Sequence, residues 1–307
     1  MSEVPEMSEV PAMLMEECYA SGWPVFGPRK AAEALPPRPS GMNKGNRGRI
    51  LVAGGSENYP GAAALSCLGA LRSGGGVVSL LSSPEVCHAC ASRLPEAVQL
   101  PVVGAWDSRI AAALDELPRA NVVVAGPGLG RSGAAVAFAS ALWKKWDKPL
   151  LMDGDALYAL ATIAEDLSPR ANSVLTPHEG EAARLLGWTP EEVRENREEA
   201  VQCLSKRWGC VLLKGEGTLL AAFEKRARLD QGGAELSVPG SGDVLSGCIG
   251  TFLAQGLKPF EAACLGGILH GMAGRRIRES RGVDGVLASE IADGLPFVIG
   301  SLRALRA

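Results

Sequence analysis

The sequence predicts an α/β protein whose mostly parallel central sheet is covered by helices on both faces. From Arg49 onward, short runs rich in Val, Ile and Leu alternate with longer Ala- and Leu-rich stretches. The short runs show no polar alternation, which is typical of strands buried on both faces of a parallel sheet. No Pro/Gly/Ser-rich linker interrupts this pattern, so residues 41–307 are predicted to form one domain.

Composition and charge narrow the class of partner. Apolar residues make up 47% of the 307 residues and charged residues 21%, which is typical of a globular protein. The net charge of -3 and the scattered basic residues predict neither a nucleic-acid surface nor a polybasic membrane patch. No apolar run reaches the ~18 residues of a membrane span, and the N-terminus lacks signal-peptide features. We expect a soluble cytoplasmic protein whose partner is a small molecule or another protein.

Residues 1–40 are interpreted as an N-terminal tail and lead-in segment. Residues 1–11 repeat the unit Met-Ser-Glu-Val-Pro, a polar, proline-punctuated pattern that buries too little apolar surface to order itself. Of the eight cysteines, only Cys87 and Cys90 have ligand-like spacing. A structural zinc site would need a second such pair, so an ordinary helical turn is favoured over a metal or redox site.

Seven apolar runs are predicted as strands, and they begin at Ile50, Val77, Val122, Leu150, Val174, Val211 and Leu219. Most are separated by stretches predicted to be helical. A capping box with proline at the first helical position, Thr189-Pro-Glu-Glu192, marks one helix start. Ligands of open parallel sheets bind outside the carboxyl ends of the strands, so the residues after each run are the candidates for function.

The first strand leads into Gly54-Gly-Ser-Glu-Asn-Tyr-Pro-Gly-Ala62, which is followed by a helix predicted to end near Arg72. Glycines let the backbone approach a ligand, and the free N–H groups of the helix start suit an anion or a polar ring. A plain strand-to-helix connection explains the same glycines equally well.

The third strand leads into Gly126-Pro-Gly-Leu-Gly-Arg-Ser-Gly133, whose last six residues fit the GxGxxG spacing. An acid, Asp153, follows twenty positions after that loop, as in a dinucleotide-binding fingerprint. This pattern supports a rival hypothesis, a nicotinamide-dependent oxidoreductase. Against it, the loop begins more than seventy residues into the βα pattern, and Pro127 stiffens the turn.

The strand at Val174 leads into Thr176-Pro-His-Glu-Gly-Glu181 at a predicted helix start. The helix dipole disfavours the protonated form of His178 there, which leaves a neutral imidazole able to donate to a ligand. Helix capping or packing by His178 is the alternative interpretation. For Glu179 and Glu181, the alternative interpretation is that they only complement the helix dipole.

The strand at Val211 ends in Lys214-Gly-Glu-Gly-Thr218. A lysine at the end of a buried strand needs an anion or a carboxylate to offset its desolvation, so a phosphate or nucleotide contact is predicted. The same Gly-Glu-Gly is also a good hairpin turn into the run that starts at Leu219.

The stretch Pro239-Gly-Ser-Gly-Asp243 ends where apolar residues begin to recur at helical spacing. The glycine-rich loop and the first helical turn offer N–H groups that would hold phosphate oxygens. An acid beside a bound phosphate can take the proton of an attacking hydroxyl, which makes Asp243 the predicted general base. An N-cap role for Asp243 is the structural alternative.

Taken together, these motifs resemble the ribokinase-like superfamily and, within it, the ADP/ATP-dependent NAD(P)H-hydrate dehydratases of the YjeF C-terminal type. The matching stretches run in the same order from Asn43 to Gly274, including Gly126-Pro-Gly-Leu-Gly, Met152-Asp-Gly-Asp, Leu213-Lys-Gly and Gly240-Ser-Gly-Asp-Val-Leu-Ser-Gly. Thr-Pro-His-x-Gly-Glu is the most specific motif, because related sugar and vitamin kinases usually have Asn where His178 stands. The resemblance implies a three-layer α/β/α fold.

The resemblance also implies a reaction. ADP or ATP would phosphorylate the ring hydroxyl of the hydrated cofactors NADHX or NADPHX, and phosphate elimination would then return NADH or NADPH. By position, it implies Asp243 as the base and Mg²⁺ near Glu181, bound through water or phosphate. The implied hydrate contacts are Ala62, Gly128, Gly130, His178 and Asp243, and the implied nucleotide contacts are Lys214, Gly215, Glu216, Gly217, Thr218, Gly240 and Gly242.

Two further expectations follow from the resemblance: a homotetramer or larger homo-oligomer, and a functional link to a separate NAD(P)H-hydrate epimerase. Other classes stay open beside the dehydratase, namely a small-molecule kinase similar to hydroxyethylthiazole kinase, an idle nucleotide-binding relative, and the oxidoreductase. Intact Asp243 and Lys214 argue against an idle relative, and His178 argues against the kinase.

Overall fold

A computed structural model describes residues 22–103, 119–164 and 167–305. Its ten strands are β1 (Val25–Phe26), β2 (Arg49–Ala53), β3 (Val77–Ser82), β4 (Val98–Pro101), β5 (Val122–Ala125), β6 (Leu150–Met152), β7 (Ser173–Leu175), β8 (Cys210–Leu213), β9 (Leu219–Ala222) and β10 (Lys225–Leu229). They form one sheet in the order β1-β10-β9-β8-β7-β6-β5-β2-β3-β4. All neighbours pair in parallel except at β9, which is antiparallel to β8 and β10.

Eleven α-helices occur in the described residues: α1 (Pro28–Ala34), α2 (Pro60–Arg72), α3 (Pro84–Ala91), α4 (Gly133–Lys145), α5 (Asp155–Thr162), α6 (Glu179–Leu186), α7 (Pro190–Glu195), α8 (Arg197–Trp208), α9 (Ser241–Ala254), α10 (Pro259–Arg281) and α11 (Ala288–Ala304). Short 3-10 turns lie at Lys44–Arg47 and Ala234–Leu236. Within this described part, no helix combines the length and hydropathy needed to cross a bilayer.

The helices form two layers, one on each face of the sheet. On one face α1, α2, α9, α10 and α11 pack on strand side chains such as Val52 and Val124. On the other face α4, α5 and α8 pack on the alternate side chains, such as Leu51 and Val123. Because strands β5 to β8 are buried on both faces, their sequences lack polar alternation. The predicted α/β/α architecture is confirmed.

The lead-in to this sheet contains folded chain before residue 41. Strand β1 pairs in parallel with β10 at the sheet edge, and Ala31, Ala32 and Leu35 are buried in the core on the α9 side. These contacts arise because α1 lies against α10 and α11. The Met-Ser-Glu-Val-Pro repeat lies outside the described residues, and the proposed boundary at residue 41 stays a prediction.

Local predictions about helix starts and cysteines can be checked directly. Cys87 and Cys90 lie on α3, which confirms the helical turn, and burial raises the pKa of both thiols. The side chain of Thr189 accepts from the Glu192 N–H while the Glu192 carboxylate accepts from the Thr189 N–H, which confirms the capping box.

Chain direction reverses at the centre of the sheet. From β2 the chain moves through β3 to β4 at one edge, and it then crosses to β5 on the other side of β2. The loops after β2 and β5 therefore leave in opposite directions and open a crevice, the usual ligand position in an open α/β sheet.

Candidate active site

The loops after β2 and β5 meet at this crevice. The Gly55 N–H donates to the Pro127 carbonyl at 2.8 Å. Gly128 has a φ of +62°, and a Cβ there would lie 2.6 Å from the Tyr59 carbonyl oxygen and 3.0 Å from the Cβ of Ala62. Only glycine fits so close an approach. The structure thus brings together Ala62 and Gly128, two predicted hydrate contacts far apart in the sequence.

The loop that contains Gly130 is fixed by Asp155, the first residue of α5. One carboxylate oxygen of Asp155 accepts from the Gly130 N–H at 2.9 Å, and the other accepts from Nε of Arg131 at 2.8 Å. In the sequence, Asp155 stands out only as part of the Met152-Asp-Gly-Asp motif, and nothing in its spacing shows that it would bind the β5 loop.

A buried acid, Asp153, joins three elements at the carboxyl end of the sheet. It follows β6, is 3% exposed, and accepts from Lys214 Nζ at 2.9 Å and from the Ser246 hydroxyl at 2.6 Å. Because Lys214 follows β8 and Ser246 lies on α9, this one carboxylate holds both against β6. Two donors offset the cost of burying a charge here.

This contact removes the basis of the oxidoreductase hypothesis. The fingerprint acid of a dinucleotide site must face a ribose hydroxyl, whereas Asp153 is buried and engaged by Lys214 and Ser246. The GxGxxG spacing in the β5 loop therefore has another origin, the close packing of Gly128 on the start of α2.

Lys214 is the cation at the centre of the cluster. Its Nζ lies 2.9 Å from Asp153 Oδ1 and 3.7 Å from Glu181 Oε2, and a Cβ on Gly242 would lie 3.2 Å from it. Desolvation acts to lower the pKa of Lys214, but the carboxylates outweigh it and raise the pKa above its ordinary value. Lys214 is therefore charged where the β8 loop meets the start of α9.

Asp243 lies in the first turn of α9, whose N-cap is Gly240, so the structural alternative of an N-cap aspartate is wrong. Its side chain is partly buried and makes no hydrogen bond with the described residues. Desolvation, followed by the negative charge of Asp153, raises the pKa of Asp243 to about 7, although Lys214 acts in the opposite direction. A carboxyl group with that pKa can accept a proton near neutral pH.

The start of α9 leaves its N–H groups free for a ligand. Gly240 has a φ of +86° and offers no side-chain cap, while the Ser241 hydroxyl is 3.1 Å from Nε2 of buried His270. Within the described chain, the N–H groups of Gly242 and Asp243 have no backbone partner. Such N–H groups favour an anion at the helix start.

His178 is the N-cap of α6, which confirms the capping interpretation left open by the sequence. Its Nδ1 accepts from the N–H groups of Gly180 and Glu181, and the Glu181 carboxylate accepts from the His178 N–H at 2.8 Å. Burial and then Lys214 lower the pKa of His178, so the imidazole is neutral, as expected. The Nε2 of that neutral ring carries the proton.

Glu181 connects the His178 cap to the charged cluster. Its Oε2 accepts from the His178 N–H, and Oε1 lies 3.5 Å from His178 Nε2. Burial raises the pKa of Glu181 to about 7, with Lys214 opposing the shift. Among the described residues, no three metal-ligating side chains converge. The described residues thus do not offer a magnesium ion a complete set of side-chain ligands.

A cleft of about 330 Å³ opens beside this cluster. Predicted hydrate and nucleotide contacts meet in it, and it is lined by His178, Glu179, Gly180, Pro190, Arg194, Lys214 and Gly215. Beneath it, Glu179 Oε1 accepts from Arg197 at 2.8 Å and Glu179 Oε2 from Arg194 at 3.1 Å. These two arginines were missed by sequence reasoning, because α7 and α8 carry no glycine-rich motif.

The predicted nucleotide loop, residues 214–218, connects β8 to β9. The two strands are antiparallel, which confirms the hairpin interpretation of Gly-Glu-Gly. Gly215 has a φ of +130°, and a Cβ there would lie 2.7 Å from Arg197 Nη1. Thr218 closes the turn with its hydroxyl on the Gly215 carbonyl at 3.0 Å. Glu216 is exposed at the turn. Within the described residues, it makes no hydrogen bond or ion pair with the charged cluster.

A second cavity of about 270 Å³ lies at the opposite end of the sheet. It is lined by the carboxyl ends of α2 and α9 and by α11, with Arg47 and Arg72 among its side chains. None of the predicted site residues lines it.

Comparison with known proteins gives one family. The family model described as NAD(P)H-hydrate dehydratase matches residues 50–296. A bifunctional NAD(P)H-hydrate repair enzyme of Thermanaerovibrio acidaminovorans is 40% identical over 271 residues, which are 85% of this chain and 52% of the relative. The chain thus spans about half the length of such bifunctional relatives. An ADP-dependent (S)-NAD(P)H-hydrate dehydratase of Neisseria meningitidis is 38% identical over 83% of this chain and 86% of its own.

Solved structures agree. An ADP/ATP-dependent NAD(P)H-hydrate dehydratase of Bacillus subtilis, co-crystallized with ATP and Mg²⁺, is 27% identical with a TM-score of 0.81, covering 92% of this chain and 100% of that one. A ribokinase-like superfamily protein of Enterococcus faecalis is 25% identical with a TM-score of 0.81 over 94% of this chain and 99% of that one. The ribokinase-like fold is confirmed.

Proposed function

The chain belongs to the NAD(P)H-hydrate dehydratase family, and we propose that it returns hydrated NADH or NADPH to the reduced cofactor, with ADP or ATP as phosphoryl donor. One observation carries the proposal: the Asp243 carboxyl group is partly buried, is not hydrogen-bonded within the described chain, and lies beside Lys214 at an uncapped helix start. An acid held only for structure would have protein partners, as Asp153 has.

In the proposed first step, Asp243 takes the proton of the ring hydroxyl of the hydrate. The hydroxyl oxygen then bonds to the terminal phosphorus of the nucleotide, and the bond from that phosphorus to the bridging oxygen breaks. Charge develops on the transferring phosphoryl oxygens, which the free N–H groups of Gly242 and Asp243 and the ammonium of Lys214 can stabilise.

In the second step, the phosphorylated carbon loses phosphate. The carbon–oxygen bond breaks as the neighbouring ring carbon loses a proton to the departing phosphate, and the products are inorganic phosphate and NADH or NADPH. The N–H groups and the Lys214 ammonium that bind the transferring phosphoryl group would also bind the leaving phosphate. Phosphate is a far better leaving group than hydroxide, which explains why a dehydration would consume a nucleotide.

A magnesium ion fits this site only in the manner the family resemblance implies. With Glu181 as the carboxylate that the resemblance implies and no three convergent side-chain ligands in the described chain, phosphate oxygens and water would supply most of its ligands. Bound there, the ion would neutralise phosphate charge, while Glu181 would orient one of its waters.

Residue assignments follow from the same proposal. Ala62, Gly128, Gly130 and His178 would contact the hydrate, since the first two adjoin at the crevice and Gly130 is fixed by Asp155. The loop at residues 214–218, with Gly240 and Gly242, would contact the nucleotide. We also propose a homotetramer or larger assembly, a cytoplasmic location, and a functional link to an NAD(P)H-hydrate epimerase.

The test is a reconstituted reaction. Incubation of the protein with NADHX, Mg²⁺ and either ADP or ATP should restore the absorbance of NADH and release one inorganic phosphate for each NADH. A related kinase would instead accumulate a stable phosphorylated alcohol, and an idle nucleotide-binding protein would give neither product. Light scattering of the same sample measures the oligomeric state.

A further inference from the structure

Two exposed arginines, Arg131 and Arg184, converge on one aromatic ring at the edge of the site. Arg131 follows Gly130 in the β5 loop, Arg184 lies on α6, and Tyr158 lies between them on α5. The guanidinium carbons of Arg131 and Arg184 lie over the Tyr158 ring, 4.9 and 5.5 Å from its centroid. Three separate elements thus bring two positive charges together.

This pair lies next to the proposed hydrate contacts. Asp155 holds the Gly130 N–H with one oxygen and Arg131 with the other, so the position of Arg131 is coupled to that of the loop. After burial and Lys214, Arg184 is a further cause that lowers the pKa of His178. Both arginines also interact electrostatically with Glu181. The pair therefore lies on the side of the site where Gly130 and His178 lie.

The balance of charges in the site indicates why two arginines at this position would matter for binding an anionic substrate. The site concentrates carboxylates, among them Asp153, Asp155, Glu181 and Asp243, and its central cation, Lys214, is engaged by Asp153 and Glu181. A hydrated dinucleotide brings a pyrophosphate, and its NADP form brings a further 2′-phosphate. Anions of that kind need positive charge outside the carboxylate cluster.

The two guanidinium groups are well suited to supply it. A guanidinium stacked on a ring keeps its N–H edges free, and these edges match phosphate oxygens in a bidentate geometry. Arg131 uses Nε for Asp155 and is 58% exposed, while Arg184 has no ion pair with the described residues. By contrast, Arg194 and Arg197 on the nucleotide side are both paired with Glu179.

We propose that Arg131 and Arg184, held over Tyr158, bind a phosphate group of the hydrated dinucleotide. This inference rests on the proposed function and adds to it the residues that recognise the anionic part of the substrate. The phosphate could belong to the pyrophosphate, present in both hydrates, or to the 2′-phosphate, present only in NADPHX.

The test compares steady-state kinetics on NADHX and NADPHX for the wild type, Arg131→Gln and Arg184→Gln. Each substitution is expected to raise KM about tenfold, as for one lost hydrogen bond between charged groups, with kcat little changed. A rise with both substrates assigns the pyrophosphate, and a rise with NADPHX alone assigns the 2′-phosphate. Arg184→Lys keeps the positive charge but not the planar guanidinium, so its KM should lie between those of the wild type and Arg184→Gln.

A matched control is Arg226→Gln, because Arg226 is also exposed and lies 5.7 Å from the centroid of an aromatic ring, that of Trp23, on the edge of the sheet. Its KM values should equal those of the wild type. Unchanged KM values for both Arg131→Gln and Arg184→Gln, with melting temperatures like that of the wild type, overturn the inference. Recovery of NADH by the wild type is measured first, so failure of the proposed function is recognised separately.

Discussion

Helices α6 and α9 begin at the same edge of the sheet, but they differ in whether the backbone N–H groups of their first turns have hydrogen-bond partners. Helix α6 caps itself: His178 and Glu181 satisfy each other's backbone N–H groups. Helix α9 has glycine in the left-handed region at its N-cap, and Ser241, the nearest hydroxyl, faces His270 instead. Of these two helices, α9 is the one in which two first-turn N–H groups have neither a backbone partner nor a side-chain cap in the described chain, and they lie beside a cation, Lys214. The difference therefore favours α9 as the place for an anion.

The acidic residues in the first turns of α6 and α9 also differ in their hydrogen bonding. Glu181 accepts a backbone hydrogen bond and lies 3.7 Å from Lys214 Nζ. Asp243 has no such partner within the described chain, although its pKa is raised to about 7. The two acids thus occur at equivalent places in one fold and differ in hydrogen bonding, whereas burial raises the pKa of both carboxyl groups.

The largest expected effect is on Asp243. The substitution Asp243→Asn removes the proton acceptor and keeps the shape, so kcat should fall by two or more orders of magnitude while nucleotide binding persists. Single-turnover recovery of NADH and nucleotide titration measure the two properties. Glu85→Gln is the control, since Glu85 is also an acid in a first helical turn. Near-normal turnover of Asp243→Asn would show that another group is the base.

The next effect concerns the uncapped start itself. In Gly240→Ala, a Cβ would lie 2.3 Å from Leu65 Cδ1, on a backbone with a φ of +86°. Strain and overpacking together should lower the free energy of unfolding by about 2 kcal/mol and raise the KM for the nucleotide. Urea denaturation and steady-state kinetics measure both.

Gly187, at the end of α6, provides the matched variant. It has a φ of +73°, and a Cβ there would meet nothing within 4 Å, so Gly187→Ala carries the strain without the contact. It should cost about 1 kcal/mol and leave the KM for the nucleotide unchanged. Equal losses in the two variants would contradict a special packing at the start of α9.

A smaller effect is a shift in pH dependence. Asp243 must be ionised to act, so kcat/KM of the wild type should rise as the pH passes through about 7. Asp153→Asn removes a negative charge that raises the pKa of Asp243, and it releases Lys214, which lowers that pKa. Both changes move the acid limb to lower pH, by roughly one unit.

Ser246→Ala distinguishes charge from hydrogen bonding in that experiment. It removes one donor to Asp153 but leaves the carboxylate and Lys214 in place. Its acid limb should remain at the wild-type pH. A limb that moves equally in Ser246→Ala and Asp153→Asn would assign the shift to altered packing of α9.

Much of the fold could be predicted from the sequence, because buried parallel strands are continuous apolar runs. Three strands were missed. Strand β1 has two residues, β4 is largely exposed, and β10 reads Lys225-Arg-Ala-Arg-Leu229, so none shows the apolar run on which the prediction depended. Their position follows from pairing with neighbours, which local sequence does not encode.

The site shows the same division. Glycine loops and the acid at a helix start were predictable, since each is a local motif. The partner of Lys214 was not, because Asp153 reaches it only through the sheet order that places β7 between β6 and β8. From its spacing alone, Asp153 was interpreted as the acid of a dinucleotide-binding fingerprint. Arg131 and Arg184 were missed for the same reason, as their shared ring lies on a third element.

The smallest expected effect separates the two roles of His178, helix cap and proposed hydrate contact. His178→Ala should lose about 1 kcal/mol of unfolding free energy with the cap and also raise the KM for the hydrate. His178→Asn should restore the stability, since Asn caps well, but not the KM. Ser83→Ala, which removes the cap of α3, should lose stability alone. If His178→Asn restored both, His178 would be only a cap, and the two helix starts would differ in hydrogen bonding without His178 contacting the substrate.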